Sequence, residues 1–138
     1  MSNKLTRGNA LVGAIRSKSF VRSAGESITR SAATVADGAS MVASAANIIT
    51  NTIVSATPTT ARNLTTGTAA AIIALSPRWE VGDSSEFTVI NLAAATYALT
   101  LVGGTGVTII GSATIAAASS ATFWVRIASS STVVLYRA

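Results

Sequence analysis

Three carboxylates lie close together in the stretch RWEVGDSSEF, and they are the side chains of this sequence that most resemble a catalytic group. Glu80, Asp83 and Glu86 could supply the pair of carboxyl groups that glycoside hydrolysis requires. However, Gly82, Asp83 and Ser84 are typical of a turn, because Asp and Ser side chains there hydrogen-bond to their own backbone. We therefore interpret this cluster as the turn that precedes a strand beginning near Glu86.

Other kinds of chemistry are excluded by composition. The chain has no cysteine and no histidine, which excludes disulfides, thiolate nucleophiles, imidazole proton transfer and the usual zinc sites. Serine and threonine are abundant, but no lysine follows Lys18 to activate them. The stretch VGGTGVT lacks the lysine and the glycine spacing of a phosphate loop. We expect no enzymatic activity, no cofactor and no metal site.

Positive charge is concentrated at the amino-terminal end. The net charge is +5, and residues 1–30 contain six basic residues against one acidic residue, whereas residues 31–138 contain four of each. A chain of 138 residues has room for one domain and an extension. Because neither disulfides nor metal can stabilise a small core, the composition predicts an oligomer.

A run of 39 residues without charge lies between Glu86 and Arg126 and must first be considered as a membrane span. A spanning helix needs about 20 predominantly apolar residues, but ten Ser or Thr residues and four glycines interrupt every candidate window. Instead, the pattern alternates with a period of two, as where Phe123 and Val125 flank Trp124, which is typical of strands. We expect a β protein with no membrane partner.

The same period predicts about seven short strands and therefore a small β-sandwich. The GGTG sequence at 103–106 predicts a hairpin between two of these strands, 97–102 and 107–115. One short helix is expected over 68–77, with Thr68 as its N-cap and Pro77 at its end. The predicted strands are 48–55, 61–66, 86–92, 97–102, 107–115, 121–128 and 132–137.

Two interpretations compete for residues 31–47. A seam of small and apolar residues spaced alternately by four and three, from Ile28 to Ile53, is typical of a coiled coil. Against a helix, the segment is rich in Ser, Thr and β-branched residues, and Asp37 followed by Gly38 is a strong turn pair. We favour extended structure with a turn at 37–38, and divide the chain into an extended arm, 1–47, and a β-sandwich domain, 48–138.

Residues 1–30 of the arm combine scattered charge with apolar residues. This composition predicts a segment that docks on a partner. Charge would guide its approach to a partner and the apolar residues would make the contact. A solvated solubilising tail is the alternative interpretation, and binding of nucleic acid is disfavoured because Phe20 alone could stack on a base. The residues we expect to make the contact are Lys4, Arg7, Leu11, Ile15, Arg16, Lys18, Phe20, Arg22 and Arg30.

Several predicted strands are apolar on both faces, although a single core can bury only one face of each strand. Loops or the helix could cover the second face, or another subunit could do so. The scarcity of charge favours a subunit interface. Its candidate residues are Ile90, Leu92, Trp124 and Arg126.

Residues 57–138 resemble β-sandwich domains of tailed-bacteriophage virion proteins. The resemblance rests on the stretches VGDSSEFTVIN, GTGVTIIG, SATFWVR and VVLYR, which follow one another in that order. It is a pattern of β structure and contains no catalytic signature. It implies a virion structural protein, with a homotrimer as the expected assembly.

The resemblance and the basic arm together lead to one hypothesis: a capsid decoration, or cement, protein. It would bind the major capsid protein, on the outer rather than the inner surface of the head, and stabilise the shell without catalysis. A trimeric tail-fibre or spike component that attaches to the host is the alternative. Two further hypotheses are a membrane-permeabilising protein and genome packaging by the arm, and the β pattern and the scattered charge disfavour them.

Overall fold

The computed structural model describes residues 31–138, and within this range the chain forms ten strands, one short α-helix and one π-helical segment. The strands are β1 (Ser31–Val35), β2 (Met41–Ala43), β3 (Thr52–Ala56), β4 (Arg62–Thr66), β5 (Ser84–Asn91), β6 (Leu99–Val102), β7 (Val107–Ile110), β8 (Thr114–Ile115), β9 (Ser119–Ile127) and β10 (Val133–Arg137). The α-helix is α1 (Ala69–Ala74), and the π-helical segment is Asn47–Asn51.

These strands form two sheets around one hydrophobic core. The large sheet has six strands in the order β1-β3-β5-β9-β10-β7, and the small sheet has four in the order β2-β4-β6-β8. Buried residues from both sheets belong to the same apolar cluster. The predicted class, a mainly β two-sheet sandwich with one short α-helix, is therefore confirmed.

The first six strands alternate between the two sheets, so the chain winds around the core. In the large sheet β1, β3 and β5 pair in parallel, and in the small sheet β2, β4 and β6 do the same. Parallel neighbours need a crossover connection, and here each crossover passes through a strand of the opposite sheet. Each turn of the winding therefore contributes one strand to each sheet.

The last part of the chain closes the fold with antiparallel pairs. Strand β9 pairs antiparallel with β5 on one side and with β10 on the other, and β8 pairs antiparallel with β6. The rings of Phe87 and Phe123 stack with centroids 5.7 Å apart at the centre of the core. At the edge of the core the guanidinium of Arg137 lies 5.6 Å from the centroid of the Phe123 ring and donates a hydrogen bond to the carbonyl of Ser112.

The predicted helix is confirmed, with bounds slightly inside those expected. The Thr68 hydroxyl accepts a hydrogen bond from the backbone N–H of Ala71, as an N-cap does. The helix buries Ala69 and Ile72 against the core. It ends before Ser76, which is buried and whose hydroxyl donates to the carbonyl of Ile72.

The predicted hairpin between 97–102 and 107–115 is wrong at the GGTG loop, but the predicted pairing of the two runs holds at their far ends, where β8 pairs antiparallel with β6. Strand β6 lies in the small sheet, whereas β7 lies at the far edge of the large sheet and pairs in parallel with β10. The GGTG loop carries the chain from the small sheet to the large sheet, and its backbone lies very close to neighbouring backbone atoms. A Cβ on Gly103 would lie 2.2 Å from the Val107 carbonyl oxygen, and one on Gly104 would lie 2.5 Å from that of Thr66. The two glycines permit close backbone approach, a role that the sequence does not separate from a hairpin turn.

Residues 31–43 consist of the strands β1 and β2 and the turn between them, so they are extended as favoured, whereas residues 45–51 are helical. The coiled-coil alternative is wrong over the two strands, and the predicted strand 48–55 begins only at Thr52. Strands β1 and β2 flank a turn at residues 38–40, but they belong to different sheets and do not form a hairpin. Both sheets thus begin before residue 48, because β1 pairs with β3 and β2 with β4. The segment expected to belong to the arm supplies the first turn of the winding.

Candidate interaction surface

The alternation of side chains along the large sheet produces a buried inner face and an outer face directed away from the core. Phe87, Val89, Phe123 and Val125 are at most 1% exposed and line the core. The residues between them point the other way, as period-two geometry requires. We call this second side of the large sheet the outer face.

A row of large side chains crosses the outer face. Strand register places Glu86 opposite Trp124, Trp124 opposite Tyr136, and Tyr136 opposite Ile110. Trp124 is 44% exposed and Ile110 is 49% exposed. Cross-strand aromatic pairs stabilise a sheet by roughly 0.2–1 kcal/mol, which does not explain why side chains of this size face outward.

The side chains on either side of this row are mostly polar. Arg126 lies opposite Ser84 on one side and Val134 on the other. Towards the other end of the same strands, the Thr88 and Thr122 hydroxyls form a hydrogen bond of 2.9 Å. An aromatic centre with charged and hydroxyl groups around it can bind a partner through apolar contact and hydrogen bonding together.

Three of the four residues predicted for a subunit interface lie on this outer face. Ile90, Trp124 and Arg126 occupy outward positions of β5 and β9, and Trp124 and Arg126 are two positions apart on the same strand. Leu92 lies just beyond β5, is 53% exposed, and its backbone N–H donates to the carbonyl of Ala56. That this surface contacts another subunit stays a prediction.

The residues predicted for capsid contact in the arm lie outside the described residues. They are Lys4, Arg7, Leu11, Ile15, Arg16, Lys18, Phe20, Arg22 and Arg30. Their role stays a prediction.

The acidic stretch before β5 has the geometry of a turn. The carboxylate of Asp83 accepts a hydrogen bond of 2.8 Å from the backbone N–H of Glu80, and Gly82 has a φ of +100°. Strand β5 then begins at Ser84. Across residues 31–138, no group of three or more His, Cys, Asp or Glu side chains could hold a metal ion. The absence of enzymatic activity stays a prediction.

Sequence reasoning did not find the partners of Trp124. Tyr136 and Ile110 belong to the row of Trp124 only because β10 lies between β9 and β7. Tyr136 and Ile110 alternate with buried or half-buried residues as Trp124 does, but the order of strands across the sheet is not readable from that alternation.

A polar cluster that the sequence did not indicate joins the first two turns of the winding. The Asp37 carboxylate accepts hydrogen bonds from the Arg62 guanidinium at 2.8 Å, and from both the backbone N–H and the hydroxyl of Thr59. Asp37 lies in the connection after β1, and its partners lie at the start of β4 and just before it. The hydrogen bond from Arg62, followed by that from the Thr59 hydroxyl, lowers the pKa of Asp37 from 3.8 to about 2.

This shift makes part of the stability dependent on pH. Because the pKa is lower in the folded state, the carboxylate stabilises the fold above about pH 4, and this contribution is lost as the pH falls towards 2. We expect Asp37→Asn to show a shallower loss of melting temperature between pH 4 and pH 2 than the parent protein. Asn63→Ala, which changes an exposed residue of β4 that does not titrate, is the control and should keep the parent slope. Identical slopes for the parent and Asp37→Asn would contradict the assignment.

Comparison with known proteins found no matching family model, no matching curated protein and no matching solved structure. In residues 31–138, no helix combines the length and the apolar character needed to cross a membrane.

Proposed function

We propose that this protein is a non-enzymatic capsid decoration protein of a tailed bacteriophage. In this proposal the β-sandwich lies on the outer surface of the head as a homotrimer, and the basic amino-terminal segment binds the major capsid protein. Contact with several capsid subunits at once would stabilise the shell.

The separation of charge from fold is the observation that carries the proposal. The described residues contain four basic and four acidic side chains, so they are neutral overall, and the excess of positive charge lies in residues 1–30. This segment joins the fold at Ser31, the first residue of the edge strand β1. A basic segment that leaves a neutral sandwich at one edge supports binding to an acidic protein surface.

The physical requirements of such binding fit the composition of the segment. At physiological salt the Debye length is about 8 Å, so charge can guide the approach only over a short range. Leu11, Ile15 and Phe20 supply apolar groups for the contact itself. An interface of about 1,600 Å² is the usual size for specific attachment, and the segment and the outer face together could supply it.

Neutralising the central charges of the segment is expected to weaken capsid binding at least tenfold. The test is co-sedimentation with empty expanded capsids that lack the protein, comparing the parent with a variant in which Arg16, Lys18 and Arg22 are all replaced by Gln. The triple variant keeps the length and the apolar residues of the segment. Arg78→Gln, which removes an exposed charge from the described fold, is the matched control.

Saturable binding by the parent and by Arg78→Gln, with weakened binding by the triple variant, would support the proposal. Equal binding by all three would contradict the role of the basic segment. The absence of saturable binding by the parent would overturn the decoration role itself.

The outer face favours a second candidate, a tail-fibre or spike component that attaches to the host. The exposed Trp124 and the half-buried Tyr136 lie side by side, with Glu86 at the end of their row. Aromatic rings beside a carboxylate are suited to stacking on sugar rings. The same co-sedimentation experiment separates the two candidates, because a tail component would not saturate empty heads.

A further inference from the structure

The π-helical segment ends in a strained backbone conformation. Thr52, the residue that follows the segment, has a φ of 66°, in the left-handed region. A β-branched residue with such a φ is a genuine outlier, because its Cβ lies too close to the following carbonyl oxygen. Among residues 31–138, Ala118 is the other non-glycine residue with a positive φ. Strain of this kind persists only where surrounding contacts hold it, and it is concentrated at sites that bind ligands or change conformation.

A chain of hydrogen bonds holds Thr52 in this conformation. The backbone N–H of Thr52 donates to the carbonyl of Asn47. The Asn51 side-chain amide donates to Oδ1 of Asn47 at 3.3 Å, and Oδ1 of Asn51 accepts from the Ser31 hydroxyl at 2.7 Å. Ile48 is fully buried and anchors the start of the segment in the core. The strained turn is therefore held by the core on one side and by the first residue of β1 on the other.

Strand β1 is the weakly held partner in this arrangement. Ser31 lies opposite Thr52 in the register of the large sheet. None of the five residues of β1 is buried, whereas β5 buries three residues and β9 buries four. Among the described strands, β1 is an edge of the large sheet with β3 as its neighbour. Elements with few buried contacts at the margin of a fold open locally more readily than its core.

We propose that β1 is a strap that opens together with the last turn of the π-helical segment, residues 49–52, and that the strain at Thr52 sets how often it opens. In the open state Thr52 relaxes out of the left-handed region, and the hydrogen bond between Ser31 and Asn51 is lost. Release of the strain offsets part of the cost of separating β1 from β3. Ile48 stays in the core, so the other strands of the sheet remain paired.

Opening of the strap changes what the large sheet presents at this edge. The residues of β1 leave the sheet, and backbone N–H and C=O groups of β3 become free. An extended chain can pair with an edge of this kind through backbone hydrogen bonds. This inference concerns a single chain and does not depend on binding to a capsid.

Hydrogen exchange of backbone amides, followed by NMR on the full-length protein, tests the proposal. The hydrogen-bonded amides of β1 and of residues 49–52 should share one opening equilibrium and exchange roughly 100-fold faster than those of β5 and β9. Glycine adopts the left-handed region without steric cost. In Thr52→Gly the amides of β1 should therefore exchange about tenfold more slowly than in the parent protein, as expected when one strained residue is relieved.

A second variant and a matched control separate strain from the other effects of glycine. Thr52→Asn should also slow the exchange of β1, because asparagine adopts the left-handed region more readily than threonine and gives the open chain less freedom than glycine. Ala118→Gly is the control, since Ala118 has a φ of 55° in the connection before β9. Strands β3 and β5 separate β9 from β1. Relief of strain at Ala118 should therefore leave the exchange of β1 unchanged.

Joint exchange of β1 and residues 49–52 that slows in both Thr52 variants, and not in Ala118→Gly, would support the strap. Protection of β1 equal to that of β9 in the parent protein would overturn it, as would equal slowing by Thr52→Gly and Ala118→Gly. Unchanged or faster exchange of β1 in both Thr52 variants would show that the conformation of Thr52 does not favour opening.

Loss of the β signal in circular dichroism from both Thr52 variants would also overturn the proposal, because residues suited to the left-handed region should not unfold a chain that is strained there. No capsid is present in this experiment, so its failure leaves the proposed function untouched.

Discussion

Replacing Asn91 with alanine is expected to lower the free energy of unfolding by about 3–5 kcal/mol, because each buried polar group left without a partner costs roughly 1–3 kcal/mol. The Asn91 side chain is fully buried. Its amide nitrogen donates to the carbonyls of Tyr97 at 2.9 Å and Ile115 at 3.0 Å, and its amide oxygen accepts from the backbone N–H of Ala93 at 3.0 Å. Alanine would remove all three of these hydrogen bonds.

The stability that Asn91 contributes should depend on the hydrogen bonds that its amide group donates as well as on the size of its side chain. Asn91→Asp keeps the shape but replaces the NH₂ group with an oxygen, and an ionised carboxylate cannot donate to either carbonyl. We expect this variant to be at least as unstable as Asn91→Ala at neutral pH. It should recover part of its stability in acid, because a protonated carboxyl can donate one hydrogen bond.

Urea unfolding followed by circular dichroism measures both Asn91 variants. Asn63→Ala is the matched control, since Asn63 is exposed on β4, and a surface substitution should change stability by no more than about 0.5 kcal/mol. Similar losses for Asn91→Ala and Asn63→Ala would show that the buried hydrogen bonds do not stabilise the fold.

The second large effect is expected at the aromatic centre of the core. Phe123→Ala should lower the free energy of unfolding by about 3–5 kcal/mol, the usual range for truncating a buried phenylalanine. Phe123 is fully buried and stacks on Phe87. Because small domains have a total stability of about 5–15 kcal/mol, this variant should be only marginally folded at room temperature.

The next residue along the same strand supplies the control. Trp124 lies on the outer face and is 44% exposed, so Trp124→Ala should lower stability by at most about 1 kcal/mol, the upper range for a cross-strand pair. Urea unfolding followed by circular dichroism applies to both variants, since it does not depend on tryptophan fluorescence. A loss at Trp124 equal to that at Phe123 would mean that the outer face is buried in solution, as the predicted subunit interface requires.

Much of the fold was predictable because local patterns are strong where one side of a strand is buried. The alternation around Phe123 and Val125 identified β9, and Thr68 with the alanines after it identified α1. The run at 107–115, however, is two strands separated by Gly111. Gly111 has a φ of +96°, and it lies where the chain leaves the large sheet for the small one.

The candidate surface was only partly predictable. Trp124 and Arg126 stood out because they alternate with core residues. Tyr136 and Ile110 did not, since their proximity to Trp124 depends on which strands are neighbours. The bonding of Asp37 to Arg62 was not predictable at all, because 25 residues separate them and the winding brings them together.

Residue types and short-range periodicity are enough to predict the β class, the position of the helix, the concentration of charge in residues 1–30 and the absence of thiol and imidazole chemistry. These properties follow from residue types and from periodicity within a few neighbouring positions. Only the folded chain shows that the first six strands alternate between two sheets and pair in parallel, and that the GGTG loop crosses between the sheets. Strand pairing depends on contacts between residues far apart in the chain, and a period of two shows which face is buried but not which strand lies alongside.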